Sequence, residues 1–187
     1  MRFPLIDILN LPCAFERLIP GQLHPDGRRY LPLIVLRPTD PTAGTITPDG
    51  LRLGVVDRHH RVDPASAGRS GLARLVFALS AICLQQAPYR LGLLPEEARE
   101  AGAAALAPTL FGRVVALGAW ERGDAHLPYQ TLYAELVIDT GMGIVGMRTS
   151  LTAEDLTAAI GAEQLAPGDW VELRRSRIDI LSFEPSA

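Results

Sequence analysis

The sequence has 187 residues, of which 48% are hydrophobic and 21% charged, so it can bury a core and is not typical of a disordered chain. All 18 basic residues are arginine, and the formal net charge is −3. No apolar run reaches the roughly 20 residues that a membrane-spanning helix needs. Pro4, Asp7 and Pro12 interrupt the apolar N-terminus where a signal peptide would be continuous. We therefore expect a cytoplasmic protein without membrane association.

The first hundred residues predict a β-rich region with many turns. An apolar run over 28–38 ends in proline, and a loop rich in Pro, Gly, Asp and Thr follows it. Residues 51–64 then partly alternate apolar and polar side chains, as a half-buried strand does. This pattern predicts a hairpin that joins 28–38 to 51–60.

The next two segments differ in how clearly they can be interpreted. Apolar residues over 72–86 recur at helical spacing but also alternate as in a strand, so both structures stay open. Residues 93–108 predict a helix, because Pro95 suits its first turn, Glu96 and Glu97 follow, and an Ala-rich run ends at Pro108.

The C-terminal part has the most regular pattern. It predicts strands over 110–123, 129–139 and 142–151, a helix over 152–169, and one bent strand or a hairpin over 170–184. This is the element order of a five-stranded Greek-key barrel. We therefore divide the chain into a β-rich domain, 1–107, and a barrel domain, 108–187. The first domain is either a second related barrel or a β-rich cap.

One turn in the C-terminal part resembles a known superfamily. Pro167-Gly168-Asp169 followed by Trp170-Val171-Glu172-Leu173 is similar to the start of the fourth strand in OB-fold (oligonucleotide/oligosaccharide-binding) proteins, and the resemblance covers roughly 108–184. It implies a mainly β fold with one or two short helices, with Val171, Leu173, Ile178 and Ile180 in the core. It also implies binding of single-stranded nucleic acid or of protein, since this fold serves both.

Asp139-Thr140-Gly141 could belong to a retropepsin-like aspartic protease, which would need a second copy to supply the partner carboxylate. Met142 follows where that family has a small residue, and too little chain remains for the rest of a protease lobe. A tight turn between two apolar strands explains the same residues, because Gly141 can adopt a positive φ. We predict the turn and keep the protease as a remote alternative.

The OB resemblance places arginines and aromatic residues at positions where a nucleic acid could bind. Arg174, Arg175 and Arg177 would lie in the turn between strands 4 and 5, one of the loops through which OB proteins bind oligonucleotides. Alternatively, this is a solvated turn whose arginines pair with Glu172 and Asp179. The remaining candidates in this part are the phosphate ligands Arg122 and Arg148 and the stacking residues Trp120 and Tyr129. Tyr133 and Trp170 are further possible stacking residues, but we favour the core for both.

A second group of candidates lies in the more basic half of the chain. Residues 1–100 carry 12 arginines against 10 acidic residues (+2), whereas residues 101–187 carry 6 against 11 (−5). Within the DRHHRVD segment (57–63), a strand would place His59 and His60 on opposite faces, which disfavours a shared metal ion. Arg58, His60 and Arg61 are instead secondary anion-binding candidates.

The sequence holds no catalytic or cofactor-binding motif. Cys13 and Cys83 lie 70 residues apart without a CxxC spacing, and no Gly-rich phosphate loop or nucleophile elbow is present. We therefore expect no enzyme activity, no metal and no cofactor. Our first hypothesis is a binding protein for single-stranded DNA or RNA, and the alternative is a protein-interaction or assembly protein that forms a homo-oligomer.

Overall fold

A computed structural model describes residues 6–27, 30–40, 43–78, 81–97, 100, 102–117, 134–149, 158–161, 165–174 and 176–187. The fold is mainly β, as predicted. The strands are β1 (Leu11–Ile19), β2 (Leu33–Pro38), β3 (Leu53–Val56), β4 (Ser70–Ala78), β5 (Ala81–Leu84), β6 (Gly92–Leu94), β7 (Thr109–Leu117), β8 (Ala134–Asp139), β9 (Ile144–Thr149), β10 (Trp170–Arg174) and β11 (Arg177–Pro185). Short 3₁₀ turns lie at Ile6–Ile8 and Pro64–Ser66, and residues 158–160 are helical.

Five strands form a closed barrel. β1 pairs with β2, β2 with β3, β3 with β11, β11 with β4, and β4 with β1. The β3–β11 pair is parallel and the other four pairs are antiparallel. Closure satisfies the backbone groups that an open sheet would leave at its edges.

The other strands form a second circuit on the same sheet. β4 pairs with β9 in parallel, and the order then runs through β8, β7 and β10 to β5, which follows β4 in the chain. β6 is attached to β7. Strands from both sides of residue 107 therefore belong to one sheet, while the division into two domains stays a prediction.

Two long segments are common to both circuits, and we call them the shared strands: 70–84 (β4 and β5) and 170–185 (β10 and β11). Arg177 pairs with Ala78, and Arg174 pairs with Ala81. The two pairs are three positions apart on each segment, so the β4–β11 and β5–β10 pairings have the same antiparallel register. β10 and β11 thus run in the same direction, as expected for one bent strand and not for a hairpin, and we call them together the bent strand. Arg174 ends β10 and Arg177 begins β11, while Arg175 lies outside the described residues.

The core runs through both circuits as one cluster of buried side chains. Val171, Leu173, Ile178 and Ile180 belong to it, as predicted, and their neighbours on the shared strand 70–84 are equally buried. On each strand, the residues that alternate with these core residues point away from the core, because strand side chains alternate. The outward side chains of β10 and β11 include Glu172, Arg174, Arg177 and Asp179.

The structure resolves the ambiguous segments. The hairpin of 28–38 and 51–60 is confirmed, since Leu33 pairs with Val56 across β2 and β3. Residues 72–86 form strands, in β4 and β5. The described residues of 93–108 are not helical, so that prediction is wrong. Ala105 instead exchanges backbone hydrogen bonds with Arg52 and Gly54, which a helix would not allow.

The predicted helix over 152–169 is confirmed only at 158–160, since 165–169 are not helical and 152–157 and 162–164 lie outside the described residues. In the part of the chain that the structure describes, no helix has both the length and the apolar character needed to cross a membrane.

Candidate functional site

Two arginines, Arg177 and Arg58, lie beside the carboxylate of Asp179 on the outer side of the sheet, and Arg148 and Arg61 lie near them. Arg177 Nε lies 2.9 Å from Asp179 Oδ1, its Nη2 lies 3.0 Å from Oδ2, and Arg58 Nε lies 3.9 Å from Oδ2. Arg148 lies within the electrostatic range of both Asp179 and Arg61. We call Arg58, Arg61, Arg148, Arg177 and Asp179 the Asp179 cluster.

Strand register positions half of this cluster. Arg177 on β11 pairs with Ala78 on β4, and Ala78 pairs with Arg148 on β9. Paired residues point to the same face, so the two arginines stand on either side of a small alanine. Two strand spacings separate them, about 10 Å.

A turn positions the other half. The buried carboxylate of Asp57 accepts backbone hydrogen bonds from Arg61 N at 2.9 Å and Val62 N at 3.1 Å, and His60 has a φ of 50°. Val56, the last residue of β3, pairs with Asp179. Asp57 therefore holds the 57–62 turn, with Arg58 and Arg61 on it, beside β11.

Arginines outnumber carboxylates in the cluster. It contains four guanidinium groups and one carboxylate, while the buried carboxylate of Asp57 lies in the adjacent turn and Glu135 pairs with Arg148 across β8 and β9. Burial lowers the pKa of Arg148, the charge of Asp179 opposes this, and the charge of Arg61 adds to it. Arg58 and Arg177 expose 44% and 50% of their side chains, so an anion in solution can reach both.

A second charged group lies farther along the same bent strand. Glu172 is buried, contacts Arg174 Nε through Oε1, and lies 3.9 Å from Arg90 Nη2 through Oε2. The guanidinium of Arg90 also lies 4.1 Å from the ring centroid of Phe111. Glu172 raises the pKa of Arg174, and burial followed by Glu172 raises the pKa of Cys83.

Two aromatic rings lie next to this group. Tyr89 and Trp170 are stacked with centroids 5.1 Å apart and an interplanar angle of 6°, and the guanidinium of Arg113 lies 6.0 Å from the Trp170 ring. Trp170 is half-buried and Tyr89 is exposed. The assignment of Trp170 to the core is therefore wrong, because its ring lies on the outward face beside Tyr89.

The predicted site residues are distributed over these groups. Arg58 and Arg61, predicted from one half of the chain, meet Arg148 and Arg177 from the other half. His60 lies exposed in the turn, so the predicted strand over 51–60 ends earlier, at Val56. Arg174 pairs with Glu172 instead. The remaining predicted residues lie outside the described part of the chain: Trp120, Arg122, Tyr129 and Arg175.

The pairing of the bent-strand arginines with Glu172 and Asp179 was one of the alternatives from the sequence, and both pairs form, Arg174 with Glu172 and Arg177 with Asp179. The sequence analysis assigned no role to Asp57, Tyr89 and Arg90. Asp57 positions Arg58 and Arg61 only once the turn has formed. Tyr89 and Arg90 reach Trp170 and Glu172 only once β5 pairs with β10, so no local sequence pattern indicates the roles of these three residues.

Asp139-Thr140-Gly141 forms the turn of the β8–β9 hairpin, as predicted. Thr140 N donates to Gly143 O at 3.0 Å, Thr140 Oγ1 donates to the same oxygen at 2.8 Å, and Gly141 N donates to Asp139 Oδ1 at 2.8 Å. Gly141 has a φ of 75°. These hydrogen bonds account for all three residues of the motif.

Among the described residues, no three His, Cys, Asp or Glu side chains converge on a point where a metal ion could bind. Comparisons with protein-family models, with curated proteins and with solved structures gave no match. The chemistry of the Asp179 cluster and of the charged group around Glu172 is therefore the basis for assigning a function.

Proposed function

We propose that this chain is a non-enzymatic binding protein of the OB-like kind, and that its ligand is single-stranded nucleic acid. The observation that carries the proposal is the Asp179 cluster, in which Arg58 and Arg177 share one carboxylate and Arg148 and Arg61 lie near them, on a chain whose net charge is −3.

The exposed arginines of the cluster can bind an anion. Arg58 and Arg177 share the carboxylate of Asp179, so like charges lie close together there and repel. A phosphate oxygen relieves this repulsion, and guanidinium groups bind phosphate through two parallel hydrogen bonds. A phosphodiester strand supplies several such groups in sequence.

The location of the cluster also suits an extended ligand. It lies on the outer face of a closed five-stranded barrel, and OB-like barrels bind oligonucleotides across an outer face. The cluster is only about 10 Å across between Arg177 and Arg148, which matches a few phosphates of one strand.

Fluorescence-anisotropy titration of labelled single-stranded DNA and RNA at several salt concentrations tests the proposal. Three or four phosphate contacts on a single strand predict that log K falls with log salt at a slope of about −2 to −3. Arg58→Ala and Arg177→Ala should each weaken binding and reduce that slope by about 0.7.

Arg69→Ala is the matched control. Arg69 is an exposed arginine just before β4, whereas Ala78 between Arg177 and Arg148 ends that strand, nine residues away along the chain or about 30 Å. The Arg69→Ala variant should bind the labelled oligonucleotides like the unaltered protein. Absence of saturable binding, or equal losses in all three variants, would contradict the proposal.

A second candidate function is assembly with another protein copy, and the distribution of exposed apolar residues favours it. Ile19, Leu23, Tyr30 and Leu31 are exposed and lie in or beside the connection between β1 and β2. Light scattering tests this candidate: a defined oligomer that Leu23→Ser converts to monomer would support it, and an unaltered monomer would exclude it.

A further inference from the structure

An exposed aromatic ring is held in place at the far end of the bent strand from the Asp179 cluster. Tyr89 is 54% exposed, although its ring is stacked on Trp170 at 5.1 Å. Exposing a large aromatic side chain that is already held in a fixed orientation is typical of a binding surface, because little entropy is lost when a ligand contacts it.

The segment that carries Tyr89 is anchored to β10 by Gln85. The Gln85 side chain donates to Val171 O at 2.8 Å and to Arg90 O at 3.0 Å, and it accepts from Arg90 N at 2.9 Å. Gln85 N also donates to Trp170 O at 2.8 Å. These bonds fix both ends of the 85–90 segment, so the Tyr89 ring is presented on a rigid support.

Positive charge surrounds the aromatic pair. Arg113 lies 6.0 Å from the Trp170 ring, and Arg90 and Arg174 both contact the single carboxylate of Glu172. A planar ring bordered by guanidinium groups suits a ligand that joins a flat base to a negatively charged backbone.

We propose that the exposed face of Tyr89 is a stacking site for a base of single-stranded nucleic acid. This inference rests on the proposed function, because the strand that supplies the base is the ligand proposed there.

The test separates base stacking from phosphate binding. Trp120→Phe leaves Trp170 as the one tryptophan, because the sequence contains two. This protein is titrated with an eight-nucleotide thymidine strand and with an abasic strand of the same length and charge. The thymidine strand should change the Trp170 emission through Tyr89, and the abasic strand should bind without that change.

Tyr89→Ala supplies the second measurement. Loss of one base-stacking contact predicts roughly five- to 150-fold weaker binding of the thymidine strand, with binding of the abasic strand unchanged. Tyr89→Phe keeps the ring and should bind like the parent.

The results distinguish this inference from the proposed function. Salt-sensitive binding of both strands that needs Arg177, with no change in Trp170 emission and no effect of Tyr89→Ala, overturns the stacking site and leaves the proposed function standing. If neither strand binds the unaltered protein or Trp120→Phe, both are overturned. Should Tyr89→Ala prove unfolded, the emission measurement with Tyr89 intact decides the matter.

Discussion

Arg177 binds Asp179 through two nearly parallel contacts, Nε to Oδ1 at 2.9 Å and Nη2 to Oδ2 at 3.0 Å. Arg58 is 3.9 Å from the same carboxylate. The Asp179 carboxylate stabilises both arginines. Under the proposed function, a phosphate group of the ligand would bind the same arginines, so Asp179 would compete with it.

Asp179→Asn should therefore change binding and stability in opposite directions. Oligonucleotide binding at low salt should become several-fold tighter, because the competing charge is removed. The free energy of unfolding should fall by about 1 kcal/mol, since partly exposed ion pairs contribute a few tenths to 1 kcal/mol. Anisotropy titration and urea unfolding measure the two effects. Weaker binding by a folded variant would show that Asp179 does not compete with the ligand.

Asp57→Ala should destabilise the protein by about 1–3 kcal/mol, the usual cost of leaving a buried donor unsatisfied. The affected donors are the backbone amides of Arg61 and Val62. Asp57→Asn keeps one acceptor oxygen and should lose less. Urea unfolding of the two variants and of the unaltered protein measures these losses of stability. Oligonucleotide binding should also weaken in Asp57→Ala, because the turn no longer holds Arg58 and Arg61 beside β11; equal stability of all three proteins would contradict this role.

Glu16 should make stability depend on acid pH. Burial favours its protonated form, but hydrogen bonds and charges from Arg52, 2.6 Å away, and Arg37, 3.2 Å away, outweigh burial and lower the pKa of Glu16 below its ordinary 4.5. A carboxyl whose folded pKa is depressed stabilises the fold above its unfolded pKa, and that contribution is lost as the pH falls through the folded pKa.

The advantage of the unaltered protein over Glu16→Gln should therefore be about 1 kcal/mol above pH 4.5 and should shrink as the pH falls below it. Unfolding curves of both proteins from pH 7 to pH 3 measure this difference. A difference that does not vary with pH would mean that Glu16 acts by packing alone.

Gly143→Ala should cost about 1–3 kcal/mol, because a methyl group would overpack a filled site. The new Cβ would contact the main-chain oxygen of Asn10 and lie 2.9 Å from Leu11 Cα. Asn10 is held there by two backbone hydrogen bonds with Ile144, so it cannot move away easily. Thermal unfolding measures the loss. In Gly146→Ala the nearest atoms to the new Cβ are the side-chain methyl groups of Leu9 and Val76, at 3.2 and 3.3 Å, which can shift more easily than main chain, so that variant should lose less.

Local sequence pattern determined the elements whose folding depends on near neighbours. The hairpin of β2 and β3 followed from an apolar run, a Pro- and Gly-rich loop and an alternating run. The β8–β9 turn followed from Asp139, Thr140 and Gly141, which make their hydrogen bonds within four residues. The core positions of β10 and β11 followed from alternation, because strand side chains have a period of two.

Only the tertiary structure decided the elements that depend on distant partners. Residues 93–108 have the composition of a helix, but Ala105 pairs with Arg52 and Gly54, and these long-range bonds override local propensity. The segment 70–84 is extended because it pairs with 170–185, about a hundred residues later. The Asp179 cluster likewise joins three separate segments, whose arginines become neighbours only when the barrel closes. Sequence therefore determined which residues carry charge and which enter the core, whereas strand register decided which charges meet.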